Sequence, residues 1–217
     1  MAGKTEKVMP DRPICLFVAR HGRTVLNADN CFRGKNNVPL DDQGHRDAHK
    51  LADYFEGIQI GGIICSDKIR AHDTARVSGE PKALAVHPTP SLQALNVGDF
   101  SGQKKTPENV AAIQSYVDNP SRVIPGGESL EQFQSRVRPA LAEALKISDQ
   151  TGLPWLVVGH SSIVHEVGSM FNNDHHAALV KPGGVAAVYI EDGHLASEPI
   201  FKPDVPPQGS NRASHVS

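Results

Sequence analysis

The chain has 217 residues, 39% hydrophobic and 21% charged, with a formal net charge of −2, which is material for one ample core. That balance excludes a protein held to nucleic acid or to an anionic membrane by its overall charge, so any anion site must come from local clustering. No uninterrupted apolar run is long enough to span a bilayer, and the polar start from Met1 to Pro10 lacks an apolar signal core.

Ile14–Ala19 is a short, fully apolar run and predicts a central strand. Arg20-His21-Gly22 follows at its end, where a buried strand meets solvent. A guanidinium offers a planar fork of donors to phosphate oxygens, and a neutral imidazole is a nucleophile near pH 7 that needs no strong base. Asp41–Phe55 has helical spacing through Ala48, Leu51, Ala52 and Phe55. Gly62–Cys65 predicts a second strand, Lys68–Val77 a helix and Ala83–Val86 a third strand.

Leu92–Gly102 carries no regular pattern, and Pro107–Val117 predicts a helix. Glu128–Ile147 is amphipathic through Leu130, Phe133, Val137, Leu141 and Leu145, with Pro139 expected to bend or split it. Trp155–Val158 predicts a fourth strand, Ser161–Phe171 a helix and Val185–Ile190 a last strand, with Asp192-Gly193 turning the chain into Leu195. From Lys202 the chain is rich in Pro, Ser, Gly and Asn, which predicts a disordered tail over 202–217 beyond one domain spanning 1–201.

Alternating strands and helices favour an α/β sandwich of three layers, its mostly parallel central sheet flanked by helices. In such sheets ligands sit beyond the carboxyl ends of the strands. Three polar groups fall there: His21, Ser66-Asp67 and His160. Cys15, Cys31 and Cys65 show no paired or metal-type spacing and are expected to be reduced thiols in a cytoplasmic setting. No metal cluster is expected: His175-His176 is an adjacent pair whose side chains diverge on a helix, and His165 follows on the helix after His160.

The chain carries, in order, Arg20-His21-Gly22-Arg23-Thr24-Val25-Leu26-Asn27, Asn30-Cys31-Phe32-Arg33-Gly34, Pro39–Gly44, Ser66–Ala75, Pro125–Ser129 and Val157-Val158-Gly159-His160-Ser161. In these segments, from about Ile14 to about Tyr189, it resembles the histidine phosphatase superfamily, the group that includes cofactor-dependent phosphoglycerate mutase. The resemblance implies that His21 is the phosphorylated histidine, that Arg20 and Arg70 hold the phosphate, and that His160 is the second histidine of the site. It implies that Thr24 and Asn27 help to line the phosphate pocket, with Ser161 beside His160, and that Arg33 contacts a remote substrate anion. Two arginines and a histidine around one phosphate place fixed donors where transition-state charge sits, so neither a metal nor a cofactor is called for.

One departure matters. Many members carry a glutamate general acid where this chain has Ala94, in Leu92-Gln93-Ala94-Leu95-Asn96-Val97-Gly98-Asp99-Phe100-Ser101-Gly102. A positioned acid contributes ~10²–10⁴-fold in rate. Asp99 or Glu128 is expected to supply the proton instead, or the substrate has a leaving group that needs less help, or the protein chiefly binds a phosphorylated ligand. Glu128 also suits the first turn of a helix. The loss favours a phosphatase acting on a phosphorylated small molecule over a phosphoglycerate-type mutase, which must protonate and deprotonate hydroxyls in both directions. Arg23, Lys35, Lys104, Lys105 and Lys181 are candidates for recognising a second anionic group.

Overall fold

The computed structural model describes residues 12–172 and 180–203. In chain order these form β1 (Ile14–Arg20), α1 (Val25–Ala28), α2 (Asp42–Phe55), β2 (Ile63–Ser66), α3 (Ile69–Gly79), β3 (Val86–Thr89), α4 (Pro107–Val117), α5 (Leu130–Thr151), β4 (Trp155–Gly159), α6 (Ser161–Asn172), β5 (Val185–Glu191) and β6 (His194–Phe201). The strands make one sheet in the order β3-β2-β4-β1-β5-β6. The first four in that order are mutually parallel, and β5 and β6 run antiparallel at the other end.

The apolar run of β1 is buried on both faces, as a central parallel strand must be. Alternate residues serve opposite layers. Leu16 and Val18 pack with Val157, Phe133, Val137, Leu141, Ile163 and Val167, so α5 and α6 cover one face. Phe17 and Ala19 pack with Leu156, Val158, Leu51, Phe55, Ala71 and Ala75, so α2 and α3 cover the other. The expected three layers and mostly parallel sheet are present.

Where boundaries differ from expectation, a local cause is visible. α5 begins at Leu130, because the Ser129 hydroxyl accepts from Gln132 N (3.1 Å) and the Gln132 side chain accepts from Ser129 N (2.9 Å). Glu128 therefore stands outside the helix rather than in its first turn. α5 runs unbroken through Pro139 to Gly152, which ends it in a left-handed conformation at φ 65°. Pro139 lies on the exposed face, where the Ser135 carbonyl that loses its partner is open to water, while Phe133, Val137 and Leu141 bury the opposite stripe of both halves.

The third strand starts three residues later than expected. Glu80–Lys82 forms a 3₁₀ turn and Ala83 takes a left-handed φ of 50°, so extended pairing resumes only at Val86. Pro88 is tolerated because this strand is at the sheet edge. Asp192 and Gly193, both at positive φ, close the expected hairpin into a full strand, β6. Only Lys202 and Pro203 of the expected tail lie among the described residues, and His175-His176 lies outside them.

Candidate active site

Strand register brings the two histidines together across 139 positions of sequence. In the parallel β1–β4 pair Arg20 lies opposite Gly159, so the next residue of each strand, His21 and His160, leaves the same end of the sheet side by side. Their rings meet edge to face with centroids 5.3 Å apart. β2 flanks β4 on its other side and ends at Ser66, whose hydroxyl lies 2.9 Å from His160 Nε2. α3 then starts, placing Arg70 in its first turn. Gly22 lets the loop after β1 press against the start of α2: a Cβ at Gly22 would collide with the Gly44 carbonyl, and one at Gly44 with the Arg23 carbonyl.

His21 Nδ1 lies 2.6 Å from the Gly22 carbonyl, which can only accept, so Nδ1 carries the proton and Nε2 keeps its lone pair. Nε2 is buried and has no hydrogen-bond partner among the described residues. Neither have Arg20 Nε, Arg70 Nε and Nη2, or His160 Nδ1. Each arginine is anchored to the backbone through one nitrogen: Arg20 Nη1 donates to Val180 O (3.1 Å) and Arg70 Nη1 to Asn36 O (2.8 Å). Thr74 ties α3 to the loop after β1, accepting from Gly22 N (3.0 Å) and donating to Arg70 O (2.7 Å). One lone pair and several free N–H groups thus share a buried hollow suited to an oxyanion.

Electrostatics points the same way. Burial first, then the neighbouring His160, Arg70, Arg33 and Arg20, holds His21 well below the ordinary imidazole range, and burial with Arg70, Arg33, Arg20 and Lys68 does the same to His160. Burial and Arg33 bring Arg20 down to about 9 and Arg70 to about 10, which leaves both charged at neutral pH.

A pH prediction follows from the two histidines. Above about pH 6.5 neither the folded nor the unfolded chain protonates them; below it the unfolded chain takes up protons that the folded chain refuses. Stability therefore falls as pH drops, by up to about 2.5 kcal/mol for the pair between pH 7 and 5.5. Urea unfolding of the wild type and of a His21→Ala/His160→Ala double variant at both pH values checks this: the double variant should lose less.

Beside the hollow opens a cavity of about 680 Å³, whose lining includes His160, Ser161, Arg33 and Ala94. Of the residues expected to bind substrate, Ser161 and Arg33 line this cavity. Thr24 and Asn27, expected at the phosphate pocket rather than in this cavity, follow His21 at the start of α1; Thr24 is fully buried, and its hydroxyl and N–H both donate to Asn27 Oδ1 (3.0 and 3.1 Å). Among the basic candidates Lys105 lines the cavity, its ammonium 5.3 Å from the centre of the Phe32 ring. Arg23 instead pairs with Asp41 (2.9 Å), and Lys104 donates to Asp29 O (2.6 Å). His165, Gln134 and Glu166, which sequence reasoning did not assign to the site, also line the cavity, carried there by α5 and α6. Only their place on the cavity-facing side of two amphipathic helices could have singled them out.

Neither expected replacement acid lies on the cavity wall. Asp99 is exposed and faces Gly126. Glu128 is clamped by Arg136, with Nη2 at 2.6 Å and Nε at 3.2 Å, and accepts from Asn96 N (2.8 Å). The same guanidinium donates to Ser91 O (3.1 Å), Gln93 O (2.8 Å) and Ala94 O (3.0 Å). The pair thus holds the segment that carries Ala94, and Arg136→Met should cost about 2–4 kcal/mol of unfolding free energy by leaving half-buried Glu128 and three carbonyls unpaired. Chemical denaturation measures it; a loss under 1 kcal/mol would deny the clamp its role.

The sequence matches the family model of the histidine phosphatase superfamily (branch 1) over residues 16–183. It is 32% identical over 149 residues to the "Probable phosphoglycerate mutase GpmB" of Yersinia enterocolitica, covering 67% of this chain and 68% of that protein. The fold is similar to that of a phosphoglycerate mutase from Thermus thermophilus, with 26% identity, a TM-score of 0.66, and 86% of this chain and 98% of the other covered. It is also similar to that of the α-ribazole phosphatase from Shigella flexneri, with 23% identity, a TM-score of 0.69 and coverage of 85% and 95%. A family whose members include phosphatases and mutases acting on phosphorylated small molecules accounts for an imidazole set among buried guanidinium forks, and the chain belongs to the histidine phosphatase superfamily.

Proposed function

We propose that the protein is a phosphatase that hydrolyses a phosphorylated small molecule through a phosphohistidine at His21. The carrying observation is the lone-pair nitrogen of His21, Nε2, buried together with the unpaired donors of Arg20, Arg70 and His160. Nε2 attacks phosphorus in line; a P–N bond forms, and the P–O bond to the leaving group breaks with its electron pair going to that oxygen. Arg20, Arg70 and His160 Nδ1 hold the equatorial oxygens, the partial positive charge at the start of α6 adds to the field, and Arg33 lies within reach of the same charge. Water then attacks the phosphohistidine, releasing orthophosphate and returning the electron pair to Nε2. Three free cysteines fit a reducing compartment, and we place this reaction in the cytoplasm.

Similarity to a protein named as a phosphoglycerate mutase favours a second reading, isomerisation of a phosphorylated three-carbon acid. The buried carboxylate on the cavity wall speaks against it, since Glu166 is engaged on both oxygens, by Arg138 (2.6 Å) and Gln134 (3.1 Å); Asp118 is exposed and accepts from Gln114 (2.8 Å). The third reading, a weak binder of phosphorylated ligands, would show saturable binding without release of phosphate. Incubation with labelled acetyl phosphate separates the three. Hydrolysis predicts an acid-labile, alkali-stable label that decays to orthophosphate, with no isomerisation of 3-phosphoglycerate even with a bisphosphate primer. Neither label nor phosphate release from any donor would overturn it.

A further inference from the structure

We infer that the natural substrate is the phosphate ester of a bulky, largely apolar alcohol with an acidic hydroxyl, a phenol or a comparable enol, rather than of a small polyol or three-carbon acid. The inference rests on the phosphatase reading and goes past it to the leaving group. Its first support is size and surface. A cavity of about 680 Å³ lies in the range that encloses ligands far larger than a three-carbon acid. Its lining is more apolar than polar, with Phe32 on the loop after α1, Ile113 and Val117 on α4, and Leu130 next to the buried Phe133 on α5. A sugar acid would leave these aromatic and branched side chains facing water, whereas a ring would cover them.

The second support is the chemistry of the lining. Ala94, a methyl group, lines the same cavity as His160, and of the two carboxylates that line it Glu166 is held on both oxygens by Arg138 and Gln134, while Asp118 is exposed and accepts from Gln114. An alkoxide has the basicity of hydroxide, with a conjugate-acid pKa near the roughly 15.7 of water, and leaves badly without a proton. A phenolate, with a pKa of about 10, leaves as the anion. Arg33 and Lys105 on the same wall supply positive charge toward which that anion departs, so the electron pair of the broken P–O bond stays on the ring oxygen and no donor is needed.

The test uses the full chain and a panel: phenyl, substituted phenyl and naphthyl phosphates that vary in leaving-group pKa and ring size, with glycerol 3-phosphate and 3-phosphoglycerate. The expected results are kcat/KM at least 100-fold higher for naphthyl phosphate than for either alkyl phosphate, a steep fall of log kcat/KM with leaving-group pKa, and a lower KM for naphthyl than for phenyl. Ala94→Glu should flatten that dependence by raising the alkyl phosphates at least tenfold. Ile113→Trp should lower the naphthyl-to-phenyl ratio about tenfold. A shallow dependence in the wild type overturns the inference, because it means that a proton donor, His165 included, already faces the leaving oxygen. So does 3-phosphoglycerate hydrolysis that matches the aryl rates. Labelling by acetyl phosphate without aryl hydrolysis overturns the inference alone; failure of labelling and of every substrate overturns the phosphatase reading beneath it.

Discussion

Replacing His21 by Ala is expected to lower kcat by about 10⁴-fold or more and to abolish acid-labile labelling altogether. The barrier rises by more than about 5 kcal/mol because the atom that forms the P–N bond is gone, and the remaining donors can only hold the phosphoryl group for attack by water. The fold should survive. The substitution removes one hydrogen bond, Nδ1 to Gly22 O at 2.6 Å, and leaves a cavity the size of a ring among groups anchored independently to Val180 and Asn36. Arg20, Arg70 and His160 remain, so the variant should still bind orthophosphate. Inorganic phosphate at 100 times its Kd should stabilise both wild type and variant by about 2.7 kcal/mol, a Tm rise of roughly 5–10 °C for a chain of this size. Label that persists in the variant would remove His21 from its assigned role.

Arg70→Met should separate stability from function in the opposite sense. Arg70 is completely buried, and two of its three nitrogens, Nε and Nη2, have no partner among the described residues. A buried cation without a paired carboxylate costs the fold several kcal/mol, and its single bond to Asn36 O at 2.8 Å offsets only part of that. Methionine fills similar space without the charge. The variant should therefore be more stable than wild type, by about 1–3 kcal/mol in urea unfolding without ligand. It should lose 10²–10³-fold in kcat/KM, about 2.7–4 kcal/mol of transition-state stabilisation, along with most of the phosphate-induced rise in Tm. A variant that is less stable yet fully active would mean that Arg70 serves packing and not the oxyanion. The contrast with His21→Ala is diagnostic: one removes chemistry and keeps binding, the other removes binding and relieves the fold.

Much of this arrangement is legible in the one-dimensional pattern because it is local. The run from Ile14 to Ala19 is apolar at every position, which only a strand covered on both faces tolerates, and Arg20-His21 follows where such a strand must end. The stripe through Phe133, Val137 and Leu141 has helical period, and it keeps α5 whole across Pro139. Less legible were elements whose limits depend on neighbours. The third strand lies at Val86–Thr89 because β2 offers an edge there, and nothing in its own four residues requires it. Glu128 read more readily as a helix-starting carboxylate than as a proton donor; α5 starts beyond it, at Leu130, and Arg136, eight residues on, engages both its oxygens.

Periodicity and short-range chemistry, which act over a few residues, sufficed to give this chain its class of fold and to mark Arg20-His21 as a candidate pair at a strand end; the expected roles of Arg70 and His160 came from the family resemblance carried by short motifs. Tertiary structure alone decided three things: the register that sets His21 beside His160, the absence of both candidate acids from the cavity, and the apolar chamber assembled from the loop after α1, α4, α5 and α6. Those depend on contacts between segments dozens of residues apart. Which side chains meet there is set by the packing of whole layers, a collective property that no local window of residues carries.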